Sequence, residues 1–217
     1  MDRTLIEFTG DEFIGTGQPG HSDRHPDFQK LLGPQAWEKL PAAVRARFAA
    51  DAHDAADTIY EGHMQVKASL AGRVMAQLCR AIGTPVAPYV GCDVPVRVRV
   101  FNSRHGVVWE RRYEFPGRAA TVVRSTKQLD DDGMLVEALN AGLHMRLRVF
   151  ERDAALHFVS TGYFFRLGAL RIELPRWFLP GITHVMQQDL GGGRFRFLMR
   201  TEHGRFGEMF FQDGVFE

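Results

Sequence analysis

Cysteine is scarce in this chain of 217 residues, whose two cysteines are Cys79 and Cys92. They lie too far apart for a CxxC redox or zinc pair, and a chain of this length needs no disulfide scaffold. The first residues include Asp2 and Arg3 and lack the apolar core of a signal peptide. Runs of about 18 apolar residues are also absent. We therefore expect a cytoplasmic protein without a transmembrane segment.

An excess of charge of one sign is missing as well. The chain has 27 Lys and Arg residues against 26 Asp and Glu residues, and its formal net charge is +1 at pH 7. A nucleic-acid-binding protein needs a surplus of positive charge to neutralise phosphates, so we expect no nucleic-acid partner. Lysine is rare beside arginine, and the lysines are Lys30, Lys39, Lys67 and Lys127.

Familiar cofactor and nucleophile motifs are either absent or lack the structural context that they need. The segment GTGQPG at 15–20 satisfies GxGxxG, but loop-like sequence follows it where a dinucleotide site needs a helix. His21 and His25 have the spacing of a helical metal pair, yet they lie in that same loop-like sequence. There is no GxSxG motif. The sequence therefore predicts neither a cofactor nor a metal site.

The N-terminal part of the chain is rich in glycine and proline and then becomes helical. Residues 1–26 predict an irregular arm, and 27–217 predict a single β-rich domain. This domain begins with short helices over about 27–50 and a strand over 58–67. A stripe at spacing four is expected to face the core within the helical segment: Leu40, Val44 and Phe48.

An amphipathic helix is predicted from Ser69 to Ile82, with Ser69 as its N-cap. We expect its aliphatic stripe to be buried, and that stripe consists of Leu70, Val74, Leu78 and Ile82.

From residue 93 onward the hydrophobic period is two, as in half-buried strands. Turn-like segments separate the runs closely, which predicts antiparallel neighbours. The runs after the first are about 107–115, 119–128, 133–139, 143–149, 155–166, 183–189, 194–202 and 206–212. The expected fold class is α+β, mainly antiparallel β. It is a strongly curved sheet or calycin-like open barrel of about 8–10 strands with N-terminal helices, able to enclose one ligand.

Several stretches together resemble a known family over about residues 28–214. They are LLGPQAWEKLPAAVRARF, DVPVRVRV, Trp109 with Arg111, Ser125, LVE ending in Glu137, LPRWFLP at 174–180, and GGRFRF at 192–197. The chain resembles the bacterial DUF4166 family, whose function is unknown. Members occur alone or joined to dehydrogenase-like or membrane regions, so the resemblance implies a reusable module and assigns no catalytic residue. The chain departs from the family pattern at LNAGLHMRL and in its N-terminal arm.

Arg111 is the most informative single residue. It shares one face of a predicted strand with Trp109 and Tyr113, where an unpaired guanidinium would be costly. Glu137 and Glu61 are the candidate carboxylates for a structural ion pair. Alternatively, Arg111 anchors the carboxylate or phosphate of an apolar ligand, or its long stem reaches solvent at the sheet edge.

The stretch LPRWFLPGITH at 174–184 predicts a rigid loop, because two prolines preclude a central strand there. Its aromatic residues include Trp177. The loop suits a lid over a pocket, a patch for a partner protein or membrane surface, or a plug that closes the core.

The favoured function is the binding of a small, mainly apolar, anionic molecule. The expected ligand-binding residues are Trp109, Arg111, Tyr113, Glu137 and Trp177. One alternative is a cofactor-free enzyme for isomerisation, cyclisation or hydrolysis, with Glu61, Glu137 or His157 as acid or base. His157 also suits a core histidine. The other alternative is a protein-interaction module that acts through the 174–184 loop, and a homodimer is compatible with it.

Overall fold

The structure is a computed structural model that describes residues 24–53, 56–81, 87, 89–175 and 179–217, with the backbone alone at 79–81. The GTGQPG segment, His21, Ile82 and Trp177 lie outside the described residues. The helices are α1 (Phe28–Leu32), α2 (Pro34–Lys39), α3 (Ala42–Phe48) and α4 (Leu70–Ala81). The strands are β1 (Thr58–Ala68), β2 (Gly91–Ser103), β3 (Gly106–Tyr113), β4 (Thr121–Leu129), β5 (Leu135–Ala138), β6 (Leu143–Arg152), β7 (Ala155–Leu167), β8 (Leu170–Glu173), β9 (Ile182–Gly191), β10 (Arg194–His203) and β11 (Gly207–Phe216).

The strands form one antiparallel sheet that closes on itself. Its order is β6-β5-β4-β3-β2-β1-β11-β10-β9-β7-β8, and a further pairing joins β6 to β7. Ten strands of the described chain thereby make a closed barrel, while β8 extends one edge of β7. The predicted fold class, mainly antiparallel β with N-terminal helices, is confirmed. Closure pairs strand edges that an open sheet would leave exposed.

The two ends of the barrel differ in their coverage. Because antiparallel strands alternate in direction, successive connections lie at alternate ends of the barrel. The end from which β1 starts, which we call the closed end, is covered by α1, α2 and α3. The opposite end, which we call the α4 end, carries α4, the β7–β8 hairpin, the described residues between β8 and β9, and the β10–β11 turn.

Aromatic contacts seal the closed end. Phe48 of α3 stacks on Trp109 with ring centroids 5.9 Å apart, and Phe28 of α1 meets Phe158 edge to face at 5.8 Å. The stripe that the sequence places in the core is buried: Leu40, Val44 and Phe48. The helices therefore act as a floor beneath the barrel interior.

The prediction for the buried face of α4 is wrong. The side chains expected in the core are exposed: Leu70 by 72%, Val74 by 56% and Leu78 by 62%. The helix packs instead through Gly72 and Ala76 against β11. A Cβ atom at Gly72 would lie 2.1 Å from the carbonyl oxygen of Met209, so only glycine permits this approach. The face of small residues is buried because it brings the helix backbone against the strand.

Candidate ligand-binding site

A cavity of about 720 Å³ occupies the barrel interior above the floor. Its wall is mostly apolar, with Trp109 and Phe158 near the closed end and Met75, Leu174 and Leu179 near the α4 end. Leu78 lines the same cavity although it is largely exposed. The cavity therefore reaches the surface beside α4.

A polar cluster interrupts the apolar wall. It consists of Arg111 on β3, Ser125 and Lys127 on β4, and Glu137 on β5. These strands are neighbours in the barrel, and the register sets Lys127 directly opposite Glu137. Alternation along each strand turns all four side chains inward. We call this set the anchor cluster.

The contacts of the anchor cluster converge on one carboxylate oxygen. Lys127 Nζ lies 3.2 Å from Glu137 Oε1, and the Ser125 hydroxyl donates to the same oxygen at 2.5 Å. Arg111 Nη2 is farther away, at 4.0 Å, and Arg111 Nη1 reaches Ser125 Oγ at 3.5 Å. Lys127 and Ser125 therefore satisfy Glu137, while Arg111 is held only loosely.

The anchor cluster has more positive than negative charge. Arg111 and Lys127 face the single carboxylate of Glu137, and the other described lining residues are neutral side chains. The side chains of all three are nearly removed from solvent, with Arg111 13% exposed and Lys127 7%. The aromatic wall offsets part of the excess charge. Lys127 Nζ lies 5.4 Å from both the Trp109 and the Phe158 rings, and Arg111 lies over Phe197 at 5.7 Å.

Burial and charge shift the ionisation of the anchor cluster. Burial lowers the pKa of the Lys127 amine, and the positive charge of Arg111 lowers it further, against the opposing attraction of Glu137. Burial alone would raise the pKa of the Glu137 carboxyl, but Lys127, Arg111 and the hydrogen bond from Ser125 together lower it. Glu137 therefore remains a carboxylate at neutral pH.

Further polar groups are spaced along the wall. The Tyr113 hydroxyl donates to Gln212 Oε1 at 3.0 Å, and Tyr163 and Thr183 share a hydrogen bond of 3.2 Å. Gln187 is buried in the wall, and its Oε1 has no hydrogen-bond partner among the described residues. An acceptor left in this state marks a place where a donor from a ligand or water would be favourable.

The predicted ligand-binding residues largely meet in this cavity. Its lining includes Trp109, Arg111, Tyr113 and Glu137. Trp177 cannot be placed, because it lies outside the described residues. Ile182 to His184, at the end of the predicted loop, belong to β9.

The predicted acid–base candidates do not meet. Glu61 is exposed on the outer wall, in a shallow polar depression of about 850 Å³, and forms an ion pair with Arg97. His157 is buried but does not line the cavity. Its ring nitrogens lie 2.9 Å from His184 Nε2 and 3.1 Å from the carbonyl oxygen of Arg152. Of the three candidates, only Glu137 lies in the cavity.

Sequence reasoning missed Lys127 and Gln187 as cavity residues. A signal for Lys127 existed, since it follows Val123 and Ser125 at period two and is a rare lysine in an arginine-rich chain. Gln187 carried no such signal, because it is the first of three consecutive polar residues, Gln187, Gln188 and Asp189.

A comparison with known protein families identifies the family of this chain. A family model described as "Domain of unknown function (DUF4166)" matches residues 40–216, which include the whole anchor cluster. The resemblance seen in the sequence is thereby confirmed. No curated protein matches the chain. Within the described residues, no helix has the length and apolarity to cross a membrane, and no group of three or more His, Cys, Asp or Glu side chains could hold a metal.

Proposed function

We propose, on the premise that this chain belongs to the DUF4166 family of domains of unknown function, that its barrel binds a small, mainly apolar molecule with an anionic group. Residues 27–217 would act as one binding domain. The apolar part of the ligand would fill the cavity, and its carboxylate or phosphate would lie against the anchor cluster. A volume of about 720 Å³ falls within the usual range of small-molecule sites, about 300–1,000 Å³.

One observation carries this proposal: two buried cations share a single carboxylate. A purely structural ion pair would match one cation to Glu137, and Lys127 already does so at 3.2 Å. Arg111 has no closer carboxylate than Glu137 at 4.0 Å among the described residues. A buried charge without a close partner is unfavourable, so an incoming anion would remove that penalty as well as form charge-assisted hydrogen bonds.

The charges and geometry of this site support binding better than acid–base catalysis. A general acid at neutral pH needs a raised carboxyl pKa, whereas the neighbouring cations lower the pKa of Glu137. The other acid–base candidates, Glu61 and His157, do not line the cavity. The interaction module proposed for the 174–184 loop has no support from the described residues.

Calorimetric titration with octanoate and 1-octanol tests the proposal. These ligands share a chain length and differ in charge. We expect octanoate to bind more tightly than 1-octanol, and Arg111→Gln to weaken octanoate by about tenfold or more, because a charge-assisted hydrogen bond is lost. The same substitution should leave 1-octanol binding nearly unchanged.

Arg112→Gln is the matched control. Arg112 is the next residue on β3, and its side chain is exposed on the outer wall. Equal affinity for octanoate and 1-octanol would refute Arg111 as the anchor of an anionic group. Equal losses of octanoate affinity in the two arginine variants would refute it as well.

A further inference from the structure

The segment 62–92, which includes α4, carries charged side chains of only one sign. Residues 62–92 contain no Asp or Glu, whereas the complete chain has 26. The same segment carries Lys67, Arg73 and Arg80. Within a chain whose formal net charge is +1, this segment therefore carries positive charge alone. Such a segment is complementary to a negatively charged surface.

The apolar row of α4 is left largely uncovered by the described residues. Leu70, Val74 and Leu78 recur at spacing four and are all largely exposed, because the helix packs through its face of small residues. Arg73 is also exposed on the helix. An apolar row beside cationic side chains is the pattern of helices that lie in a lipid–water interface.

The exposed row borders the entrance of the cavity. Leu78 belongs to both the row and the cavity wall, and its helical neighbour Met75 also lines the cavity. Other exposed apolar residues lie at or beside turns at the same end of the barrel: Leu167, Leu170 and Phe206. The apolar surface is thus continuous with the apolar interior.

We propose that the α4 end docks on an anionic lipid membrane, with Leu70, Val74 and Leu78 entering the interface and Lys67 and Arg73 contacting lipid headgroups. The cavity would then exchange its apolar ligand directly with the bilayer. The docking stands on the α4 surface itself, and only the identity of the cargo rests on the function proposed above.

Charge argues against a second copy of the chain as the occupant. A twofold-symmetric dimer would place this surface against itself. Lys67 and Arg73 of both copies would then enter one interface, to which residues 62–92 contribute no acidic side chain. An anionic bilayer offers both an apolar layer and negative charge.

Co-sedimentation with lipid vesicles tests the proposal. The complete chain is mixed with phosphatidylcholine vesicles, with or without about 30% phosphatidylglycerol. We expect sedimentation with the anionic vesicles, little with the neutral ones, and release as the salt concentration rises. The double variant Leu70→Gln/Val74→Gln and the variant Arg73→Glu should each reduce the bound fraction by about tenfold or more.

Ile59→Gln is the control, because Ile59 is an exposed aliphatic residue of β1 near the closed end. It should sediment as the unmodified chain does. The proposal is overturned if neither kind of vesicle binds the chain, or if Ile59→Gln reduces the bound fraction as much as the α4 variants do. It is also overturned if sedimentation velocity shows a dimer that the double variant converts to a monomer.

Octanoate titrations separate this proposal from the preceding one. Arg111→Gln should sediment with anionic vesicles as the unmodified chain does, although its octanoate affinity falls. The α4 double variant should keep its octanoate affinity in solution. Vesicle binding without octanoate binding would refute the cavity function alone, and the reverse result would refute the docking alone.

Discussion

At the scale of single residues, Glu137 holds the anchor cluster together. It is the carboxylate that Lys127, Ser125 and Arg111 all approach, and it is buried with them. Its removal leaves two cations in an apolar cavity without a counter-charge. Removal of Lys127 instead leaves one cation and one anion.

This asymmetry predicts unequal costs for two substitutions. Glu137→Gln should lower the free energy of unfolding by about 3–5 kcal/mol, because it breaks a buried pair and strands its partners. Lys127→Met should cost clearly less, since Met fills similar space and Arg111 and Glu137 then balance. Urea denaturation followed by tryptophan fluorescence measures both changes. Equal costs would show that Glu137 does not neutralise the cluster.

At the scale of secondary-structure elements, α4 is positioned by its contact with β11. Ser69 begins the helix as a cap, accepting a hydrogen bond from the Gly72 backbone N–H at 3.1 Å, and its own N–H donates to Met209 O. Gly72 then allows the helix to lie directly on that strand. This placement turns the aliphatic row outward and leaves Leu78 at the cavity entrance.

Gly72→Ala should loosen this helix. Alanine normally favours a helix, but here its Cβ would meet the Met209 carbonyl oxygen at 2.1 Å, and a strand backbone cannot move aside easily. We expect a net cost of about 1–3 kcal/mol and faster amide hydrogen exchange in α4. Gly204→Ala is the control, since its Cβ would meet nothing within 4 Å. Protection of α4 equal to that of the unmodified chain would contradict this account.

At the scale of the whole molecule, the barrel is sealed at one end and accessible at the other. Phe48 is central to the seal, because its ring lies against Phe28, Trp109 and Phe158. The polar anchor cluster lies above this floor, and the apolar wall continues toward the α4 end. A ligand can therefore enter at the α4 end, where the exposed Leu78 lines the cavity.

Phe48→Ala should open the floor and destabilise the barrel. The loss of a buried aromatic ring typically costs about 3–5 kcal/mol. Phe206→Ala removes the same atoms from an exposed position at the other end and should cost far less. Thermal unfolding of the two variants measures the difference. Similar melting temperatures would show that α3 is not an essential part of the core.

The sequence by itself determined the class of fold and part of the site. Alternation at period two depends only on local geometry, so it correctly predicted antiparallel strands and the inward faces of Trp109, Arg111 and Tyr113. The buried stripe of Leu40, Val44 and Phe48 was also predicted correctly, because helical spacing is likewise a local property of the chain. Glu137 was a candidate partner for Arg111, and the structure brings both into one cavity.

Only the tertiary structure decided how these parts combine. Closure depends on pairing β6 with β7 and β1 with β11, and the opposition of Lys127 and Glu137 depends on the β4–β5 register. The outward face of α4 depends on a contact between Gly72 and Met209, which are remote in sequence. Periodicity shows that a helix has two faces, but burial follows the face that packs most closely on a neighbour. That neighbour exists only in the folded chain.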